Sequence, residues 1–210
     1  MDIHFPESTK EYTQLQCNNK LSKYTTCPEV KPVEDLFKNL CPKNVLELGA
    51  GLGRVSVYLL KQFGWTDTHF YLLDGDSGHK QIANLHNRIG KDFYNSLSAT
   101  RDFCLGNGMK ENQLTLWNIE KEDWKITPVQ FDLCYSFKAM GFHWPIGEYL
   151  QRFASWMVKG AYLVFEIRDN SQQAFIDFNK KQMKGVPTQW YEVVELSMQP
   201  KQAILILRRV

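Results

Sequence analysis

The chain has 210 residues, 43% of them hydrophobic and 23% charged, with a formal net charge of +2. That length builds one substantial core but not two full domains. The near-neutral balance, with basic residues scattered, removes the electrostatic case for nucleic acid and leaves a small or neutral substrate. Cys17, Cys27, Cys41, Cys104 and Cys134 form no CxxC pair, and there is neither a basic, apolar leader nor a run of about 18 apolar residues. The expectation is a cytoplasmic protein with reduced thiols and no membrane span, a Cys17–Cys27 bridge being the alternative.

Residues 1–32 are polar with interspersed aromatics, weakly helical in period and without a strand signal, and read as an amino-terminal extension to a domain over 33–210. Val33, Leu36, Phe37 and Leu40 fall at helical spacing, predicting a short helix over Val33–Cys41 that Pro42 stops. From Asn44 the pattern alternates. Strands are expected at Asn44–Leu48, His69–Leu73, Leu114–Trp117, Phe131–Tyr135, Tyr162–Ile167, Glu192–Met198 and Ile204–Leu207. Helices are expected at Gly53–Phe63, Gly78–Ile89 continuing through Lys91–Phe103, Ile146–Val158 and Ser171–Lys184. Such alternation predicts an α/β fold, a doubly wound and mostly parallel sheet with helices on both faces. The last two runs, joined by Gln199-Pro200-Lys201-Gln202, predict an antiparallel hairpin.

Within "NVLELGAGLGRVSVYLL" (Asn44–Leu60), Gly49, Gly51 and Gly53 separate a strand from a helix, with Glu47 just before them. A glycine-rich turn there lets a ligand approach the backbone. Dinucleotide-binding turns want G-x-G-x-x-G; Gly49 and Gly51 fit, but Arg54 takes the third place and the glycine comes one residue early at Gly53. A purely structural turn, packing helix on strand, is the other alternative. The spacing E-x-G-x-G-x-G resembles the first motif of the class I S-adenosylmethionine-dependent methyltransferases. Their cofactor has no phosphates and lies across the turn, so close backbone approach matters more than an anion-binding helix end. The resemblance implies S-adenosyl-L-methionine as cofactor, contacted at Glu47, Gly49, Ala50, Gly51 and Gly53, and a Rossmann-like seven-stranded sheet.

A second signal is independent of the first. Ribose hydroxyls are donors, and a carboxylate about 20 residues on, at the end of the next strand, accepts them well. "HFYLLDGDSGHKQ" offers Asp74 for that role with Gly75 beside it; Asp76 either assists or caps the following helix. The resemblance runs from about Val33 to the carboxyl end and implies an adenine contact after the next strand. Asn118 stands there, with Trp117 as either a stacking face or a core residue.

In an open parallel sheet, ligands collect at the carboxyl ends of the strands. Phe131–Tyr135 is followed by "SFKAMGFHWPIGEYL", carrying Ser136, Lys138, His143, Trp144 and Pro145. Ser136 joins the expected cofactor contacts, and Asp132, near the strand's start, is assigned a structural role. Methyl transfer to a hydroxyl needs in-line positioning and removal of a proton. Of the five histidines, His143 is the one placed after a sheet strand in the expected site, and its ordinary pKa near 6.5 suits a general base. Lys138 would need strong desolvation to serve. The string is similar to the post-strand segment of bacterial sugar O-methyltransferases, which implies a sugar or glycan precursor as acceptor, in glycan or cell-surface polysaccharide synthesis. No metal-binding carboxylate set stands out, so no metal is expected. Tyr12 and Tyr24 read either as packing residues or as part of a lid over the cofactor, and Phe175 and Phe178 as core. A homodimer and a monomer are both open. The competing functions are N- or O-methylation of another small metabolite and a non-catalytic cofactor-binding subunit.

Overall fold

Short apolar runs bounded by turn residues form the strands. The computed structural model describes residues 3–9, 27–76, 95–121, 128–137, 139–140, 155–168, 191–199 and 202–210. β1 (Asn44–Leu48), β2 (His69–Asp74), β3 (Leu114–Asn118), β4 (Phe131–Ser136), β5 (Met157–Arg168), β6 (Tyr191–Gln199) and β7 (Gln202–Arg209) lie in one sheet in the order β3-β2-β1-β4-β5-β7-β6. β1 runs parallel to β4, β4 to β5 and β2 to β3, whereas β7 is antiparallel to β5 and β6. The mostly parallel sheet with a carboxyl-terminal hairpin is the architecture the alternation predicts.

The chain divides into two compact units, Met1–Lys43 with Ala50–Ile126, and Asn44–Gly49 with Thr127–Val210. In the second, Val45 and Leu46 on β1, Leu133, Cys134 and Tyr135 on β4, and Leu163, Val164 and Phe165 on β5 are fully buried. Consecutive side chains point to opposite faces, so both faces of these strands are covered, as parallel strands require. Asp132 accepts a hydrogen bond from Asn44 N at 2.8 Å, tying the starts of β4 and β1 together. In the first unit, α1 (Glu34–Lys38), α2 (Arg54–Phe63) and α3 (Leu97–Gly106) accompany β2 and β3. α2 buries Val55, Ser56, Val57, Leu59 and Leu60 along one stripe and ends at Gly64 in the left-handed conformation. Trp65 gathers the aromatics of three elements, lying 6.2 Å from Phe37, 6.0 Å from Phe63 and 6.5 Å from Phe70 between ring centroids.

Three expected elements shift a boundary by three residues or more, each for a local reason. The helix expected over Val33–Cys41 is a 3-10 turn at Lys31–Val33 followed by the single α-turn of α1. Asn39 closes it early, donating its side-chain amide to Asp35 O at 2.7 Å while Asn39 N and Leu40 N turn back to carbonyls three residues earlier. Among the described residues, α3 starts at Leu97 rather than continuing from Lys91, because Ser96 is extended and caps it by accepting from Ala99 N. β5 begins at Met157, inside the helix expected over Ile146–Val158. "MVKGAY" reads as a helix end with a capping glycine, but Gly160 (φ 82°) sits in a bulge. The register with β4 jumps there from Phe131↔Met157 to Leu133↔Tyr162. A left-handed glycine serves either purpose, and only the pairing partner decides.

The amino-terminal residues pack on α3: Phe5 lies 5.3 Å from the Phe103 ring, and Asn107 bonds both His4 N and His4 O. Tyr12, Tyr24, Lys138, His143, Trp144, Pro145, Phe175, Phe178 and the helices expected at 78–89 and 171–184 lie outside the described residues.

Candidate functional site

The turn after β1 carries three alternate glycines, Gly49, Gly51 and Gly53, at φ 63°, 55° and 73°. L side chains rarely adopt that region. Ala50 N reaches Leu73 O at 3.4 Å and Gly53 N returns to Ala50 O at 2.8 Å, so the turn folds tightly over the end of β2. A Cβ on Gly53 would lie 2.7 Å from Leu72 Cδ1 and 2.8 Å from Cys104 Sγ. Gly53 therefore lets α2 pack on β2 and α3, the service the third glycine performs in a dinucleotide turn. Arg54, in that third place, instead ion-pairs with Glu29 and donates to Cys27 Sγ at 3.1 Å, fixing residues 27–29 to the start of α2.

Asp74 closes the turn. Its Oδ2 accepts from Gly51 N at 2.6 Å and its Oδ1 from Gly75 N at 2.7 Å. The side chain is 8% exposed. Burial pushes its carboxyl up to about 6, against the two amide bonds, which lower it. A carboxylate offers about four lone-pair directions; with two taken by amides, two remain for a pair of hydroxyl donors. The residues present thus fit a ribose. Asp76 accepts from Leu97 N at 2.9 Å, so among the described contacts it serves the amino end of α3, 21 residues on; the helix it is expected to cap, from Gly78, lies outside the described residues.

Asn118 pairs with Asp74 in the β2–β3 register, on the same face of the sheet. Its Oδ1 accepts from Glu120 N at 2.9 Å, an Asx-type turn, and Ile119 N closes onto Asp74 O at 2.8 Å. Trp117 pairs with Leu73 and so points to the opposite face, where its ring meets Tyr71 at 5.1 Å. Of its two readings, the contacts found are those of packing.

In the second unit, Glu47 is buried on β1 beside Tyr135, whose hydroxyl donates to Glu47 Oε2 at 3.3 Å. Ser136 is fully buried and donates to Leu48 O at 2.8 Å, so its one proton is committed to joining β4 to β1. Neither Tyr135 nor the α3 residues touching the turn, Thr100 and Cys104, announces itself in the sequence. Thr100 acts across 49 residues on the Gly51 carbonyl, a separation no local motif encodes.

No family profile and no curated protein matches the chain, but solved structures do. One is the O-methyltransferase TomG from Streptomyces achromogenes, involved in tomaymycin synthesis and in complex with SAM: TM-score 0.61 at 12% identity, covering 99% of this chain and 92% of that one. Another is the SAH-bound methyltransferase PaMTH1 from Podospora anserina, with TM-score 0.61 at 12% identity and coverages of 98% and 88%. A third is the ribosomal protein L11 methylase from Lactobacillus delbrueckii subsp. bulgaricus, with TM-score 0.58 at 11% identity and coverages of 88% and 80%. With this strand order and its terminal hairpin, the chain has the fold of the class I S-adenosylmethionine-dependent methyltransferases.

Proposed function

We propose that the chain transfers a methyl group from S-adenosyl-L-methionine to a small polar acceptor, a sugar hydroxyl in glycan or cell-surface polysaccharide synthesis. The observation that carries this reading is the closure of the glycine turn on Asp74: a buried carboxylate held by Gly51 N and Gly75 N, with lone pairs left for a ribose. When bound, the cofactor supplies a methyl group on a positively charged sulfur, which departs as a neutral thioether. The chain then has two tasks. Asp74 and the turn hold the nucleoside, and we assign Glu47, Gly49, Ala50, Gly75, Asn118 and Ser136 as further cofactor contacts, with Asp76 in a minor, assisting part. His143, in the segment joining β4 to β5, takes the acceptor's proton as the new carbon–oxygen bond forms. Residues 1–32 serve as an extension whose described parts pack on α2 and α3.

The sugar acceptor rests on the likeness of the segment after Tyr135 to bacterial sugar O-methyltransferases. Proteins of similar fold act in tomaymycin synthesis and on ribosomal protein L11, so fold by itself leaves the acceptor open. A net charge of +2 favours a small molecule over RNA. Cys27, Cys41, Cys104 and Cys134 are thiols rather than disulfides, and no helix among the described residues is long and apolar enough to cross a membrane. The thiols fit the cytoplasmic location we assign.

Calorimetry with S-adenosylmethionine and S-adenosylhomocysteine tests the cofactor; an absence of binding to either sinks the reading. Release of S-adenosylhomocysteine in the presence of candidate sugars then separates an enzyme from a non-catalytic binding subunit. His143→Ala is expected to lower turnover about a hundredfold, within the usual worth of a general base, while cofactor affinity stays within about twofold. Full activity would remove His143 as the base.

A further inference from the structure

The glycine turn is held from two sides, and the second hold comes from α3. The fully buried Thr100 donates its hydroxyl proton to Gly51 O at 2.6 Å, the nearer of two acceptors, Ser96 O being 3.1 Å away. Asn95, itself buried, donates its side-chain amide to Thr100 Oγ1 at 3.2 Å, which directs the hydroxyl's own proton outward to those carbonyls. One turn later, Cys104 Sγ lies 3.6 Å from Leu52 O, the next carbonyl in the chain. Two successive carbonyls of the turn therefore face α3.

Peptide planarity converts that into a statement about donors. A trans peptide sets the Leu52 N–H antiparallel to the Gly51 C=O, so a carbonyl fixed on Thr100 aims the Leu52 amide away from α3. Gly53 N is engaged by Ala50 O at 2.8 Å and Gly51 N by Asp74, whereas Leu52 N bonds to no described residue. We infer that Thr100 is a positioning residue for the cofactor. Through the Gly51–Leu52 peptide it fixes the orientation of the turn and presents the Leu52 amide to a bound ligand, without touching the ligand itself.

This inference rests on the methyltransferase reading above, and the test separates the two. Thr100→Val keeps the side-chain volume and removes the donor; Thr100→Ser keeps the donor and removes the methyl group. The expected result is about tenfold weaker S-adenosylhomocysteine binding for Thr100→Val, the worth of one hydrogen bond, with affinity retained in Thr100→Ser. Both variants are compared by calorimetry at a temperature well below their melting points. Wild-type affinity in Thr100→Val, or equal losses in the two variants, overturns the positioning role and leaves the methyltransferase reading standing. Failure of the wild-type chain to bind overturns both. Should Thr100→Val not fold, Asn95→Ala carries the test: the hydroxyl persists but loses its direction, and affinity should fall about threefold. Unchanged affinity there counts against the inference.

Discussion

Gly53→Ala is expected to lower the unfolding free energy by about 3 kcal/mol, combining overpacking with a left-handed backbone. The control is Gly64→Ala. Both glycines have nearly the same φ, 73° and 66°, so the backbone term is shared. Their surroundings differ: the added Cβ would meet Leu72 at 2.7 Å and Cys104 at 2.8 Å at position 53, and nothing within 4 Å at position 64. Gly64→Ala should therefore cost only about 1 kcal/mol, the price of the conformation. In a chain of this size each kcal/mol moves the melting temperature by about 2–4 °C, so the variants should separate clearly in thermal unfolding. Equal losses would show that α2 does not press on β2 and α3 at Gly53. Gly51→Val makes a complementary change, placing a β-branched residue at φ 55° in the part of the turn that faces Asp74. Its main expected effect is loss of cofactor binding.

Asp74→Ala is expected to weaken cofactor binding by at least about a hundredfold, since two hydrogen bonds to a buried carboxylate are lost. Asp76→Ala should leave affinity within about twofold and instead cost about 1 kcal/mol of stability, because its contact is to Leu97 N at the start of α3. The reverse order would reassign the ribose contact. The pH profile provides an independent check. In the folded protein the Asp74 carboxyl is raised from 3.8 to about 6, so it binds its proton more tightly than in the unfolded chain. The stability it contributes is fully present below about pH 4 and is lost as pH rises through about 6, an amount of about 3 kcal/mol. Cofactor binding runs the other way. Hydroxyl donors need the ionised carboxylate, so affinity should fall toward about tenfold per pH unit below pH 6. Chemical unfolding of the free protein from pH 4 to 8, beside calorimetry over the same range, should trace two opposite slopes. Parallel slopes would remove Asp74 from both roles.

The sequence by itself determined the sheet and its hairpin, because burial on both faces leaves a near-continuous apolar run and a half-buried strand leaves alternation. It also marked Gly49, Gly51, Gly53 and Asp74 as candidate ligand residues by their spacing, but not that Gly51 N would bond to the Asp74 carboxylate. The tertiary structure decided what lies beyond the reach of a local pattern. Whether Gly160 caps a helix or sits in a bulge depended on β4 as its partner, and whether Trp117 faced a ligand or Tyr71 depended on the β2–β3 register. That Asp76 reaches the amide of Leu97 depended on where α3 begins. Thr100 is the clearest case. A threonine in a helix carries no signal of its own, and it acquires a role only when folding sets its hydroxyl against a carbonyl 49 residues away.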